Sequence, residues 1–160
     1  MIRQGNIADA AAMADIFNHY IDTSTVIFSN RRRTADDMAA TLMPVIGRYP
    51  FFVHEEDGEV LGYCFAHAFH PDPVYSRTWE ITIYLRQGHT GRGIGSGLLD
   101  AIIEASRQEG AHTLISCITD GNTACERMHE RAGFIRTGIL RDAGYKFGQY
   151  LNDVFYQKLL

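Results

Sequence analysis

The segment Trp79-Glu80-Ile81-Thr82-Ile83-Tyr84-Leu85 alternates with a period of two, and shortly after it comes Gly91-Arg92-Gly93-Ile94-Gly95, opening the apolar stripe Leu98, Leu99, Ile102 and Ile103. A strand must therefore pass through a glycine-rich turn into a helix. Trp79, Ile81, Ile83 and Leu85 fall on one face of that strand, and Glu80, Thr82 and Tyr84 on the other. Glycines at alternate positions let backbone N–H groups converge where Cβ atoms would block a ligand. The helix amino end adds its positive pole, so an anionic diphosphate is the expected guest. The segment lacks the Gly-Lys-Ser/Thr ending of a P-loop, and no acidic residue stands where a dinucleotide fold needs one.

The rest of the chain supplies the other elements. Asn6 with Asp9, and Thr34 with Asp37, have capping-box spacing. They precede the stripes Met13, Ile16, Phe17, Tyr20, Ile21 and Met38, Leu42, Val45, Ile46, the second expected to stop at Gly47 and Pro50. Phe51 to His54 and Val60 to Phe65 read as a hairpin about Asp57-Gly58. Pro71, Asp72 and Pro73 mark a loop. Thr113 to Ile118 reads as a buried strand, and Cys125, Met128, His129 and Ala132 stripe a helix stopped by Gly133. Two strands close the chain, roughly Phe134 to Leu140 and Leu151 to Leu159; Ile2 to Asn6 is a weakly apolar first strand. The order β-α-α-β-β-β-α-β-α-β-β predicts an α/β fold, a mixed, mostly antiparallel sheet flanked by helices, in one domain over residues 1–160.

Charge and cysteines narrow the function. With 15 Lys+Arg against 19 Asp+Glu, and only Arg31-Arg32-Arg33 as a basic run, binding to nucleic acid or an anionic membrane is not expected. No apolar run is long enough to cross a bilayer. Cys64, Cys117 and Cys125 form neither a disulfide framework nor a zinc pair, which favours a reducing, cytoplasmic setting. His67 and His70 lack further ligands, so no metal is expected.

Gly91-Arg92-Gly93-Ile94-Gly95 before a Leu-Leu helix, then Asn122, then His129-Glu130-Arg131-Ala132-Gly133-Phe134, resembles the GNAT superfamily of acyl-CoA-dependent N-acyltransferases, which shares this element order. Tyr20 to Phe28, Arg48-Tyr49-Pro50 and Leu140 to Gly148 look like its phosphinothricin and methionine sulfoximine/sulfone acetyltransferase subgroup. The resemblance implies acetyl-CoA as donor, a small-molecule amine as acceptor, and a homodimer. It implies cofactor contacts from Tyr84, Leu85, Arg86, Thr90, Gly91, Arg92, Gly93, Ile94, Gly95, Ser96, Asn122 and Arg131. Thr90 departs from the Gln or Arg that often begins the superfamily loop.

An alkylamine with a pKa near ~10 must lose a proton before it attacks a thioester, and the resemblance puts the base at Glu80. Asn122 also stands where it would cap the fourth helix. Cys125 lies on a buried stripe and reads as core, while His129 stands where many relatives outside the subgroup carry a Tyr that protonates the departing thiolate, and reads either as such an acid or as a packed residue. Acceptor contacts are expected from Phe28, Val74, Tyr75, Thr82, Tyr84 and Lys146, with Arg141 a further cation. Where some relatives carry a loop Arg, this chain has His70, Asp72 and Arg77, and an Asp beside the pocket would repel an acidic acceptor. The reaction expected is acetyl transfer to the α-amino group of an amino acid or analogue. The alternatives are an acetyltransferase for protein, peptide or polyamine amines, and a non-catalytic acyl-CoA sensor.

Overall fold

The computed structural model describes residues 1–160, and its strands and helices follow in the expected order. They are β1 (Ile2–Gln4), α1 (Ala10–Thr23), α2 (Ala35–Leu42), β2 (Phe51–Glu56), β3 (Glu59–Ala68), β4 (Thr78–Leu85), α3 (Ile94–Gln108), β5 (Thr113–Thr119), α4 (Thr123–Arg131), β6 (Ile135–Lys146) and β7 (Gln149–Leu159). One seven-stranded sheet runs β1-β2-β3-β4-β5-β7-β6, and only β4 and β5 are parallel. A parallel pair needs a crossover, and α3 provides it.

The period of β4 decides which helices cover which face. Trp79 and Ile81 join Leu98, Leu99 and Ile102 of α3 in one core, with Ile83 and Leu85 packed against it. Tyr84 turns the other way, against a second core built from Met13, Ile16 and Phe17 of α1 and Met38 and Leu42 of α2. Both expected capping boxes are formed, Asn6 with Asp9 and Thr34 with Asp37.

Helix α2 and the two final strands differ in extent from the sequence reading. Helix α2 ends at Leu42 instead of running to Gly47, because Pro44 offers no N–H to continue the ladder. Val45 is still buried, whereas Ile46 is 41% exposed. The final strands are longer than expected and meet at the tight turn Phe147-Gly148, both residues at positive φ. Two register shifts in β6 disguise its alternation, and the strand is exposed along nearly its whole length. Lys146 and Arg141 are therefore strand residues and not loop residues.

Candidate active site

Strand β4 pairs with β5 only at Thr78, Trp79 and Glu80, after which the two diverge, while β3 continues to pair with β4 as far as Leu85. From Ile81 to Leu85 one edge of β4 has no neighbouring strand. This wedge is a cleft of about 800 Å³, lined among others by Glu80, Thr82, Tyr84, Leu85, Thr90, Gly91, Gly93, Gly95, Ser96, Asn122 and Arg131.

At its far end Gly91 and Gly93 have φ of 76° and 80°, the left-handed region that a side chain disfavours. The N–H groups of Gly91 through Ser96 donate to no group in the chain, so several donors converge at the head of α3. Gly95 serves a different purpose, since a Cβ there would sit 2.9 Å from Sδ of Met128. Its smallness lets α3 and α4 close on the cleft. The loop's donors and the free β4 edge suit a diphosphate joined to an amide-containing arm.

At the near end, Glu80 shares a face with Cys117 of β5 and Asp153 of β7, because Glu80 registers with Ile115 and Asp153 with Thr119. All three line the cleft. Burial raises the Asp153 carboxyl above its usual range, with a smaller push from Glu80. Burial likewise raises the Cys117 thiol, and it lifts Cys125 to about 12, so neither is a ready nucleophile. Asp153, Cys117 and Arg127 were not expected from the sequence. Strand alternation could have placed Asp153 on an inward face, but only the sheet order brings β7 beside β5.

Phe28 lies at the cleft rim, its ring against Gly144 of β6, where a Cβ would meet it at 3.0 Å. Asn122 makes no capping hydrogen bond and faces the cleft, so its expected capping role is not realised. His129 is fully buried; its Nδ1 donates to the Cys125 carbonyl at 2.9 Å and burial lowers its pKa, so the neutral ring is core.

Several expected contacts are corrected. The Lys146 ammonium is buried and donates to the carbonyls of Tyr20, Ser24 and Ile27 at 3.3, 2.6 and 3.2 Å, leaving it no access to an acceptor. Arg86 turns to the Val60 carbonyl and Glu59, and Arg92 pairs with Glu56 at 2.7 Å. Ile94 is a core residue. Of these three, Arg92 and Ile94 could serve the loop through backbone N–H groups, whereas the Arg86 N–H is taken by the Leu61 carbonyl.

Val74, 81% exposed, and Tyr75, packed on His70, line no major cavity, because Asp72 caps the short turn Pro73–Tyr75 and holds it outward. Asp72 accepts from the Val74 N–H at 3.0 Å and also lies outside both cavities, so it does not repel an acid there. No cluster of three His, Cys, Asp or Glu residues is placed to hold a metal, and no helix is long and apolar enough to cross a membrane.

The Acetyltransferase (GNAT) family matches residues 13–134. The chain is 35% identical over 157 residues to a phosphinothricin N-acetyltransferase of Streptomyces viridochromogenes, covering 98% of this chain and 86% of that one. It is 32% identical over 158 residues to the L-methionine sulfoximine/L-methionine sulfone acetyltransferase of Salmonella typhimurium, covering 98% and 92%. A solved putative acetyltransferase from Salmonella typhimurium, described with acetyl-CoA as its cofactor, superposes with a TM-score of 0.93 at 31% identity, covering 100% of this chain and 93% of that one.

Proposed function

Because the chain belongs to the Acetyltransferase (GNAT) family, we propose that it moves an acetyl group from acetyl-CoA to the α-amino group of an amino acid or amino acid analogue, with Glu80 as base. The observation that carries this reading is the parting of β4 and β5 directly after Glu80, with unpaired loop N–H groups at the opposite end. A CoA diphosphate at Gly91 to Ser96 would run its pantetheine along the free β4 edge, bringing the thioester to the parting point. Thr90, Ser96, Asn122 and Arg131 would add side-chain contacts.

An ammonium near Glu80 and Asp153 gives up a proton to Glu80, directly or through water, and the freed nitrogen attacks the thioester carbonyl. The tetrahedral intermediate collapses, the C–S bond breaks, and CoA leaves as a thiolate that takes up the second proton shed by the nitrogen, while Glu80 returns its own proton to solvent. Both thiols in the cleft are held protonated by burial, which favours direct transfer over an acetyl-cysteine route.

In Glu80→Gln, kcat should fall by roughly 10²–10⁴, the usual worth of a general base, while acetyl-CoA affinity stays within about threefold. Undiminished turnover would remove Glu80 from this role. We further infer a single-domain, cytoplasmic homodimer. The inference is supported by one sheet spanning the chain, by three unpaired cysteines, and by the exposed apolar residues of edge strand β6.

A further inference from the structure

A second cavity of about 600 Å³ lies between α1, α2 and the sheet, and shares Thr82 and Tyr84 with the cleft. Its walls are largely apolar, with Phe65 and Tyr63 stacked at 6.3 Å on β3. Apart from its tyrosines, its ionisable lining consists of Arg33, Arg48 and His67, and no Asp or Glu lines it. His67 registers with Glu80 across the β3–β4 ladder, so the cavity begins beside the proposed base.

Arg33 is held in a built setting. Asn18 of α1, only 8% exposed, donates from Nδ2 to the Arg33 carbonyl and accepts from its N–H, both at 2.8 Å. The guanidinium lies 4.9 Å from the centre of the Phe17 ring, and its Nη1 donates to Oγ1 of Thr41 at 2.7 Å. Neither Arg33 nor Arg48 joins any salt bridge in the chain. Asp37, one turn further along the chain, is paired with Arg31 instead. A guanidinium fixed over an aromatic face, with most of its N–H donors unspent and no carboxylate in its cavity, fits a bidentate oxyanion.

We propose that this cavity binds an anionic group at the end of the acceptor's side chain, gripped by Arg33 with Arg48 at the mouth. The inference rests on the acetyl-transfer reading above. The acceptor lies with its amine toward Glu80 and Asp153, its apolar stem past Thr82, and a terminal carboxylate or phosphinate at Arg33. Carboxylates at one end of this path and guanidinium groups at the other fix the orientation of such a molecule.

Phosphinothricin and methionine sulfone have nearly the same shape and differ at the side-chain end by one negative charge. The native enzyme should prefer phosphinothricin by at least tenfold in kcat/KM, the scale of a charge-assisted hydrogen bond. Arg33→Met should raise KM for phosphinothricin at least tenfold, lower the sulfone's kcat/KM by a smaller factor, and so bring the preference within about threefold of unity. Arg48→Met, an exposed change, should lower the preference in the same direction if Arg33→Met fails to fold.

A native preference at or below unity, or one that persists in Arg33→Met, overturns the proposal. Calorimetric binding of both compounds in the presence of CoA separates the two readings. If neither compound is acetylated, the acetyl-transfer reading falls, yet tighter phosphinothricin binding that Arg33→Met abolishes upholds the anion site. Equal or undetectable binding of the two overturns the anion site.

Discussion

His129 shows how far environment outweighs residue type. Its ring packs at 5.0 Å from Phe134 and 6.3 Å from Tyr156, and Nε2 is buried without a partner. Protonating it would place a charge in that core, so burial holds its folded pKa below the ordinary value of 6.5. Below about pH 6.5 the unfolded chain takes up a proton that the native chain refuses, so this contribution to stability is complete above that pH and erodes as pH falls. Urea midpoints should therefore drop between pH 7.5 and 5.5, with a slope from this site of at most about 1.4 kcal/mol per pH unit. In His129→Leu that part of the slope should vanish; an unaltered slope would assign it elsewhere. Asp9, held below the carboxylate range by Arg3 against the effect of its burial, acts only at much lower pH and does not confuse the measurement.

Among the elements, the β6–β7 hairpin and the end of α1 depend on each other through Lys146. Its three carbonyl partners lie at the end of α1 and in the following segment, which carries Val26 and Phe28 to the cleft. A cation at a helix carboxyl end is favourable, and here it also satisfies the Ser24 and Ile27 carbonyls just beyond the helix. Thr119 holds the same segment by donating to the Thr25 carbonyl at 2.9 Å. Replacing Lys146 with Met would strand the Ser24 and Ile27 carbonyls, while the Tyr20 carbonyl keeps the Ser24 N–H. We expect a loss of about 2–4 kcal/mol in denaturant unfolding, since each abandoned buried polar group costs about 1–3 kcal/mol with partial relief from water. Unchanged stability would mean that water replaces the ammonium.

For the molecule as a whole, the two edges of the sheet are unlike. Edge strand β1 has three residues, whereas β6 has twelve and carries Ile135, Ile139, Leu140 and Tyr145 exposed. A long edge with apolar side chains invites another copy of the chain. Sedimentation equilibrium should give the mass of two chains, and the double variant Ile139→Lys with Leu140→Lys should give one, without loss of fold because both side chains are exposed. A native monomer would refute the pairing.

The local features written in the sequence were enough for some of this. The period of Trp79 to Leu85 assigned both faces of β4, the glycines between Gly91 and Gly95 marked the turn into α3 with its free N–H groups, and Asn6-Asp9 and Thr34-Asp37 announced two helix starts. These signals depend on neighbours a few residues apart, which is why they could be read without coordinates. The period understates the length of the final strands because two register shifts break it, and the stripe overstates α2 because it reveals amphipathicity but does not register the missing N–H of Pro44. Which charges are free was beyond the sequence altogether. Lys146 and Arg33 are both cations near α1, yet one is consumed by backbone carbonyls and the other is left facing an apolar cavity. That difference is set by strand order and helix packing, which bring together groups more than a hundred residues apart, as Ser24 and Lys146 are, and so only the tertiary structure could decide it.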